Sequence, residues 1–358
     1  MRAPPHDHDT DSALRETLRA LPKIDLHRHL EGSLRLETLV EIAHEHGLDL
    51  PASDIEALRP LVQVTENDRD FRDFLAKFDV LRRFYQTPEG VSRLAYEVVA
   101  DAAADNIKYL ELRFTPMALA KAQNFALEDV ADWVIEAVNR AQADFGIQVR
   151  LIASFNRHEP VDVGRRVTQI AVDRIGKGIT GLDLAGDEVN FGSGPFAPLF
   201  VEAHAAGLGI TVHAGEWTGP DTVREAIEQM SAMRIGHGVR VVEDSSVVQL
   251  ALERQATFEV CVTSNVQSGV VARLEDHPLH DLYSLNLRTT INTDDPSVCD
   301  VTLTHEYMVA VERLGFEIDD VKRTIITAAE SAFVPPGEKA DLVARFRKML
   351  GLPALRAA

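Results

Sequence analysis

Two histidines one residue apart, His27 and His29, stand in the stretch IDLHRHLEG at residues 24–32. In a strand, residues i and i+2 project to the same side. Two neutral imidazoles placed that way offer paired nitrogen lone pairs, which suits a borderline-soft divalent metal. A third histidine, His213 in TVHAGE, and a carboxylate, Asp294 in INTDDP, also close apolar, β-branched runs. Three imidazoles and one carboxylate, with room left for water, suit a catalytic zinc, which lowers the pKa of its bound water to about 7. Any one of these histidines alone is better explained as a core residue with satisfied ring nitrogens, and the two aspartates before Pro296 as a turn. It is their shared position at run ends, with Gly186, Asp187, Glu216, His237 and Asp295 placed likewise, that points to chemistry.

The elements that would bring them together are short runs rich in β-branched and apolar residues, at 23–32, 107–116, 147–157, 179–188, 209–217, 233–239, 257–266 and 287–296. Helical patterns such as PEGVSRLAYEVVADAAADN lie between them. Strands alternating with helices argue for a parallel sheet. Eight of them without a linker-like tract give an α/β chain, a (β/α)8 TIM barrel, with extra helices inserted after strand 1 over about residues 33–106. A doubly wound sheet would want a glycine-rich phosphate turn after the first strand, and HRHLEGS is not one. In a barrel the strand carboxyl ends form one mouth, so the polar residues above converge. Residues 1–15 read as a disordered tail, with His6 and His8 solvated, and residues 16–358 as one domain.

Composition narrows the classes further. The net charge is −19, no Lys/Arg cluster stands out along the sequence, and polynucleotide partners are therefore not expected. No apolar run approaches the roughly 18–20 residues of a membrane span. The polar, acidic start lacks the regions of a secretory signal, which places the protein in the cytoplasm. Cys261 and Cys299, the only two cysteines, form no disulfide framework and read as small buried thiols.

The motifs PKIDLHRHLEGS, DFLAKFDV, GLDLAGDE, TVHAGE, RIGHGV, CVTSNVQSG and INTDDP, in that order from Leu21 to Phe333, resemble the adenosine deaminase branch of the metal-dependent amidohydrolases. The resemblance implies one zinc per chain on His27, His29, His213 and Asp294. His237 would position and deprotonate the attacking water, Asp295 would aim it, and Glu216 would share a proton with the purine ring nitrogen. Gly186 would contact the purine through its N–H. Phe74 and Phe78, four apart on one helical face, read as core packing, to which the resemblance adds an apolar gate. Asp183 alternates inward in its strand and is grouped with the pocket, orienting a ligand or the catalytic carboxylate. Glu111 and Arg113 are expected to pair inside the barrel. The strand-four end carries no lysine for a second metal.

Where animal-type family members carry an aspartate that grips the ribose 5′-hydroxyl, this chain has Glu31. The expected reaction is hydrolysis of adenosine or 2′-deoxyadenosine to the inosine product and ammonia. Adenine and aminodeoxyfutalosine remain alternative substrates, and a binding barrel without catalysis is the reading from another class. The expected partners are a small purine nucleoside and water, with no nucleic acid and no membrane; a homo-oligomer is left open.

Overall fold

The computed structural model describes residues 8–50, 54–68 and 70–354. Eight parallel strands form a single sheet in chain order: β1 Lys23–His29, β2 Ile107–Phe114, β3 Gln148–Asn156, β4 Ile179–Ala185, β5 Gly209–Ala214, β6 Arg234–His237, β7 Thr257–Val260 and β8 Arg288–Ile291. Each lies within one of the eight expected runs. The ring closes just past β8, where Arg28 bridges Asp294 in parallel. The result is a (β/α)8 barrel, its strands buried on both faces as near-continuous apolar sequence requires.

The extra helices after β1 are present as α2 Leu36–Glu45, α3 Ile55–Val62, α4 Phe71–Leu81 and α5 Pro88–Ala104. Local chemistry starts them. The Asp70 carboxylate accepts from Arg72 N at 2.8 Å to open α4, and Thr87 accepts from Gly90 N at 3.0 Å ahead of Pro88 in α5. Phe74, Lys77 and Leu81 form the buried stripe of α4, at the i, i+3, i+7 spacing of a helix face.

Two expectations are corrected. The amino-terminal segment is helical from its eighth residue, α1 running His8–Ala20 with Leu18 fully buried, so a disordered tail does not extend to residue 15. Its first seven residues, His6 among them, lie outside the described residues. Glu111 and Arg113 are both buried in the barrel but do not pair with each other. Two apart on β2, they point the same way and reach across to other strands. Arg113 meets Asp183 of β4 at 3.3 Å and Glu259 of β7 at 2.8 Å, while Glu111 meets Arg234 of β6 at 2.6 Å. Among the described residues no helix is long and apolar enough to cross a membrane.

Candidate active site

The seam that closes the barrel is also the centre of the site. Asp294 N donates to the His27 carbonyl at 2.8 Å, and His29 N donates to the Asp294 carbonyl at 2.8 Å. Three expected metal ligands are thus tied together by backbone before their side chains are considered. Asp294 and His237 both hold left-handed backbone, φ 60° and 59°. Non-glycine residues seldom adopt it, and they keep such strain where the surroundings over-determine it, often at functional sites.

The side-chain nitrogens are oriented from behind. His27 Nδ1 donates to Glu259 Oε2 at 2.8 Å, and His213 Nδ1 donates to Asp183 Oδ1 at 3.0 Å. Each carboxylate takes the ring proton on its own side, so the Nε2 lone pairs point into the mouth. Burial keeps His29 and His213 below the usual histidine range and hence neutral. Burial and Arg113 pull His27 down, but the Asp294 and Glu259 carboxylates raise it overall; its Nε2 is buried with no well-formed hydrogen bond, 3.2 Å from Asp294 Oδ1. Burial alone would raise the Asp294 carboxyl, but it is held well below its usual range, in part by its contact with His27. Ser264 Oγ donates to Asp294 Oδ2 at 2.6 Å and leaves Oδ1 for the cluster.

These atoms can be tested against a metal. A tetrahedron with metal–nitrogen bonds of about 2.05 Å has edges of about 3.3 Å. His29 Nε2 lies 3.3 Å from His213 Nε2, and Asp294 Oδ1 lies 3.2 Å from His27 Nε2 and 3.4 Å from His29 Nε2. The His29 and His213 nitrogens at 3.3 Å can share either a proton or a cation. The donor set and its spacing fit zinc.

Among the described residues the tightest group of four donors is in fact His27, His213, His237 and Asp294, their ligand atoms within 4.8 Å of one another, with His237 Nε2 3.8 Å from Asp294 Oδ2 and His29 just outside it. A chain of hydrogen bonds sets His237 apart from the other three histidines. Leu279 N–H can only donate, and it points at His277 Nδ1 at 3.1 Å. Burial lowers His277 to about 3, so its one proton is on Nε2, which donates to Asn265 Oδ1 at 3.2 Å. The Asn265 amide then donates from Nδ2 to His237 Nδ1 at 3.0 Å. Burial holds His237 well below its usual range, so the ring is neutral and carries its proton on Nε2. A protonated nitrogen cannot ligate, so this tautomer sets His237 apart from His27, His29, His213 and Asp294 as a candidate ligand.

Two carboxyls border the cluster. Burial, reinforced by Asp294 and Glu188, pushes Glu216 well above the ordinary range. Its Oε1 lies 3.6 Å from His237 Nε2. Glu188 shapes the loop that carries it, accepting from the N–H groups of Gly215, Glu216, Trp217 and Thr218 at 2.8–3.1 Å. Burial and the neighbouring Asp294 likewise raise Asp295, whose Oδ1 is buried without a partner. A Cβ on Gly32 would sit 1.8 Å from that Oδ1, so only glycine leaves room for Asp295 here.

The cavity above is lined by Glu31, Phe74, Phe78, Gly186, Asn156, Trp217 and the cluster itself, with a volume of about 70 Å³. Phe74 and Phe78, ring centroids 6.0 Å apart, form an apolar wall from α4, while Phe71 of α4 meets Trp217 at 5.3 Å. Gly186 has φ +88° and borders the same space. Glu31 Oε1 accepts from Thr115 N at 2.6 Å; Oε2 is buried and unpartnered. Asp183 is the exception among the expected pocket residues: it is fully buried behind His213 and borders no part of the cavity. Reasoning from sequence does not reach Glu188, Glu259, Ser264, Asn265 or His277. Glu259 alone has a readable signal, a charged residue on the inward parity of a short apolar strand.

A barrel mouth of this kind has the donors to hold a divalent metal. Comparison with known proteins then narrows the class. A family model described as adenosine deaminase matches residues 22–349. The adenosine deaminase of Klebsiella pneumoniae strain 342 is 39% identical over 330 residues, covering 92% of this chain and 98% of that one. Adenine deaminase from Arthrobacter aurescens superposes with a TM-score of 0.85 at 29% identity, covering 92% of this chain and 99% of its own. An amidohydrolase from Burkholderia ambifaria, solved with bound Zn, gives 0.83 at 26% identity, with 94% and 93% covered. The chain belongs to the adenosine deaminase family and is a hydrolase acting on the C–N bond of a purine amine.

Proposed function

We propose that the protein deaminates adenosine and 2′-deoxyadenosine hydrolytically, with one zinc held by His27, His29, His213 and Asp294. When bound, the metal supplies a water made nucleophilic at neutral pH. The remaining work falls to the chain. Glu216, kept protonated by burial, gives its proton to the ring nitrogen next to the amino-bearing carbon, which makes that carbon electrophilic. Asp295 has a free Oδ1 to accept a hydrogen bond from the attacking water and so aim it. His237 presents an N–H rather than a lone pair. It therefore donates to the attacking oxygen and orients it, in place of the deprotonation expected of it.

One observation carries the nucleoside reading. Glu31 Oε2 is a buried carboxylate oxygen beside the cavity that lacks a donor, and a ribose hydroxyl would supply one. Free adenine would leave it unpaired. Adenine is the second reading, favoured by the small volume of the cavity. Comparing kcat/KM for adenosine, 2′-deoxyadenosine, adenine and aminodeoxyfutalosine tests the choice. Adenosine and 2′-deoxyadenosine should lead. A lead for adenine would reverse the reading, and a lead for aminodeoxyfutalosine would move it to a larger nucleoside.

A further inference from the structure

Arg28 sits between His27 and His29 on β1 but borders a separate space. The residue is 6% exposed, its Nε donates to Ser33 Oγ at 3.2 Å, and it forms no ion pair among the described residues. It borders a cavity of about 460 Å³ that Arg15 and Arg19 of α1 and Arg35 also line. Two aspartates face the same space, and both are engaged. Asp101 is clamped by Arg35, with contacts of 2.7, 2.9 and 3.1 Å. Asp105 accepts from Thr304 N at 3.0 Å and from the Thr304 hydroxyl, and lies 4.0 Å from Lys23. Asp25, the remaining acid near Arg28, accepts from His27 N at 3.3 Å and Thr293 Oγ1 at 2.6 Å. The fold thus gathers four arginines, all from residues 15–35, into one recess of a chain whose net charge is −19.

Asp25, Asp101 and Asp105 act on Arg28 only from a distance, and a guanidinium withdrawn from water without a direct carboxylate contact gains from an anion that completes it. Planar guanidinium forks match phosphate oxygens in pairs, and several converging forks favour a dianion over chloride. We propose that this recess binds a phosphate dianion, either free or as the phosphoryl group of a monoester. The site is separate from the catalytic mouth but shares its walls. Ser33, the Arg28 partner, hydrogen-bonds the His29 carbonyl at 2.5 Å, and Ser297, two residues after Asp295, donates its N–H to the Gly32 carbonyl at 2.8 Å. An anion drawn onto Arg28 therefore pulls on the strand that holds two metal ligands. The binding claim itself does not depend on the reaction proposed above.

The test is calorimetric titration of the full-length protein with inorganic phosphate and with ribose 5-phosphate, with sodium chloride at matched ionic strength as control. Phosphate should bind with about one site per chain, and Arg15→Ala/Arg19→Ala should weaken it at least tenfold with basal turnover unchanged. Arg28→Lys, which keeps the charge but loses the fork, should weaken it too. Because the α1 double variant lies on an exposed helix face, it keeps the test valid if Arg28→Lys does not fold. Tighter binding of ribose 5-phosphate would identify a monoester as the ligand, and equal binding would identify free phosphate; both support the site. Heat effects no larger than those of chloride, or wild-type affinity in the double variant, would overturn it.

Discussion

The side-chain amide of Asn265 donates to Nδ1 of His237 across 3.0 Å, and this contact decides which face of the imidazole carries a proton. Removing it by Asn265→Ala should release the tautomer. Turnover should fall about 10–100-fold, the range for outer partners of a metal site, with metal content retained. Nitrogen-15 NMR of histidine-labelled protein checks the cause directly. In the native protein His237 should show its proton on Nε2, and in the variant a mixture. A native spectrum with the proton on Nδ1 would contradict the orientation argued here.

Gly32 and Asp295 form a second dependent pair. With 1.8 Å between a would-be Cβ and Asp295 Oδ1, Gly32→Ala must push that carboxyl aside. Displacements of about 1 Å at a reacting group cost on the order of 10²-fold in rate. The variant should keep its metal and melt near the native temperature while kcat falls by about that factor. Unchanged kcat would show that Asp295 does not aim the water.

Much of the metal site is legible in the amino-acid order itself. The period-2 pattern of a strand places His27 and His29 on one side, and the barrel rule puts their strand end at the mouth. Local periodicity carries no such information about Asn265, in the short helix 262–267, and His277, just after a helical turn, which lie twelve residues apart and meet only through the fold. Glu111 and Arg113 mislead for the opposite reason. Adjacent same-side charges on a strand suggest a pair, whereas a closed barrel offers each a better partner across its interior. The amino-terminal helix is hidden by acidic composition, although Leu14 and Leu18 have helical spacing.

Glu306 provides a pH-dependent test away from the mouth. Burial raises its carboxyl from 4.5 to about 7, with Thr263 N its hydrogen-bond donor at 3.2 Å. A folded-state pKa above the unfolded one means that the folded protein binds more protons between those values. The associated stability is present below about pH 4.5 and is lost as pH rises to about 7, a change on the order of 3 kcal/mol. Glu306→Gln lacks that titration. Its melting temperature relative to native should therefore rise between pH 5 and pH 8; a difference constant across that window would contradict the assignment.

Glu31 tests the substrate. If its unpartnered oxygen holds a ribose hydroxyl, Glu31→Ala should cost adenosine about 1.5–3 kcal/mol in kcat/KM, as for hydrogen bonds to charged groups, and barely change adenine. Glu31→Asp should stay near native on adenosine if the shorter chain reaches. Damage to adenine turnover by Glu31→Ala would place the side chain against the base.

The central claim is that His27, His29, His213 and Asp294 hold one zinc on which deamination depends. Ammonia release from adenosine should be measured while metal-free protein is titrated with zinc, with bound metal counted in the same samples. The account predicts activity rising linearly and saturating at about one zinc per chain, and a His213→Ala protein that folds but neither retains zinc nor turns over. Full activity in protein shown to be free of metal would contradict it.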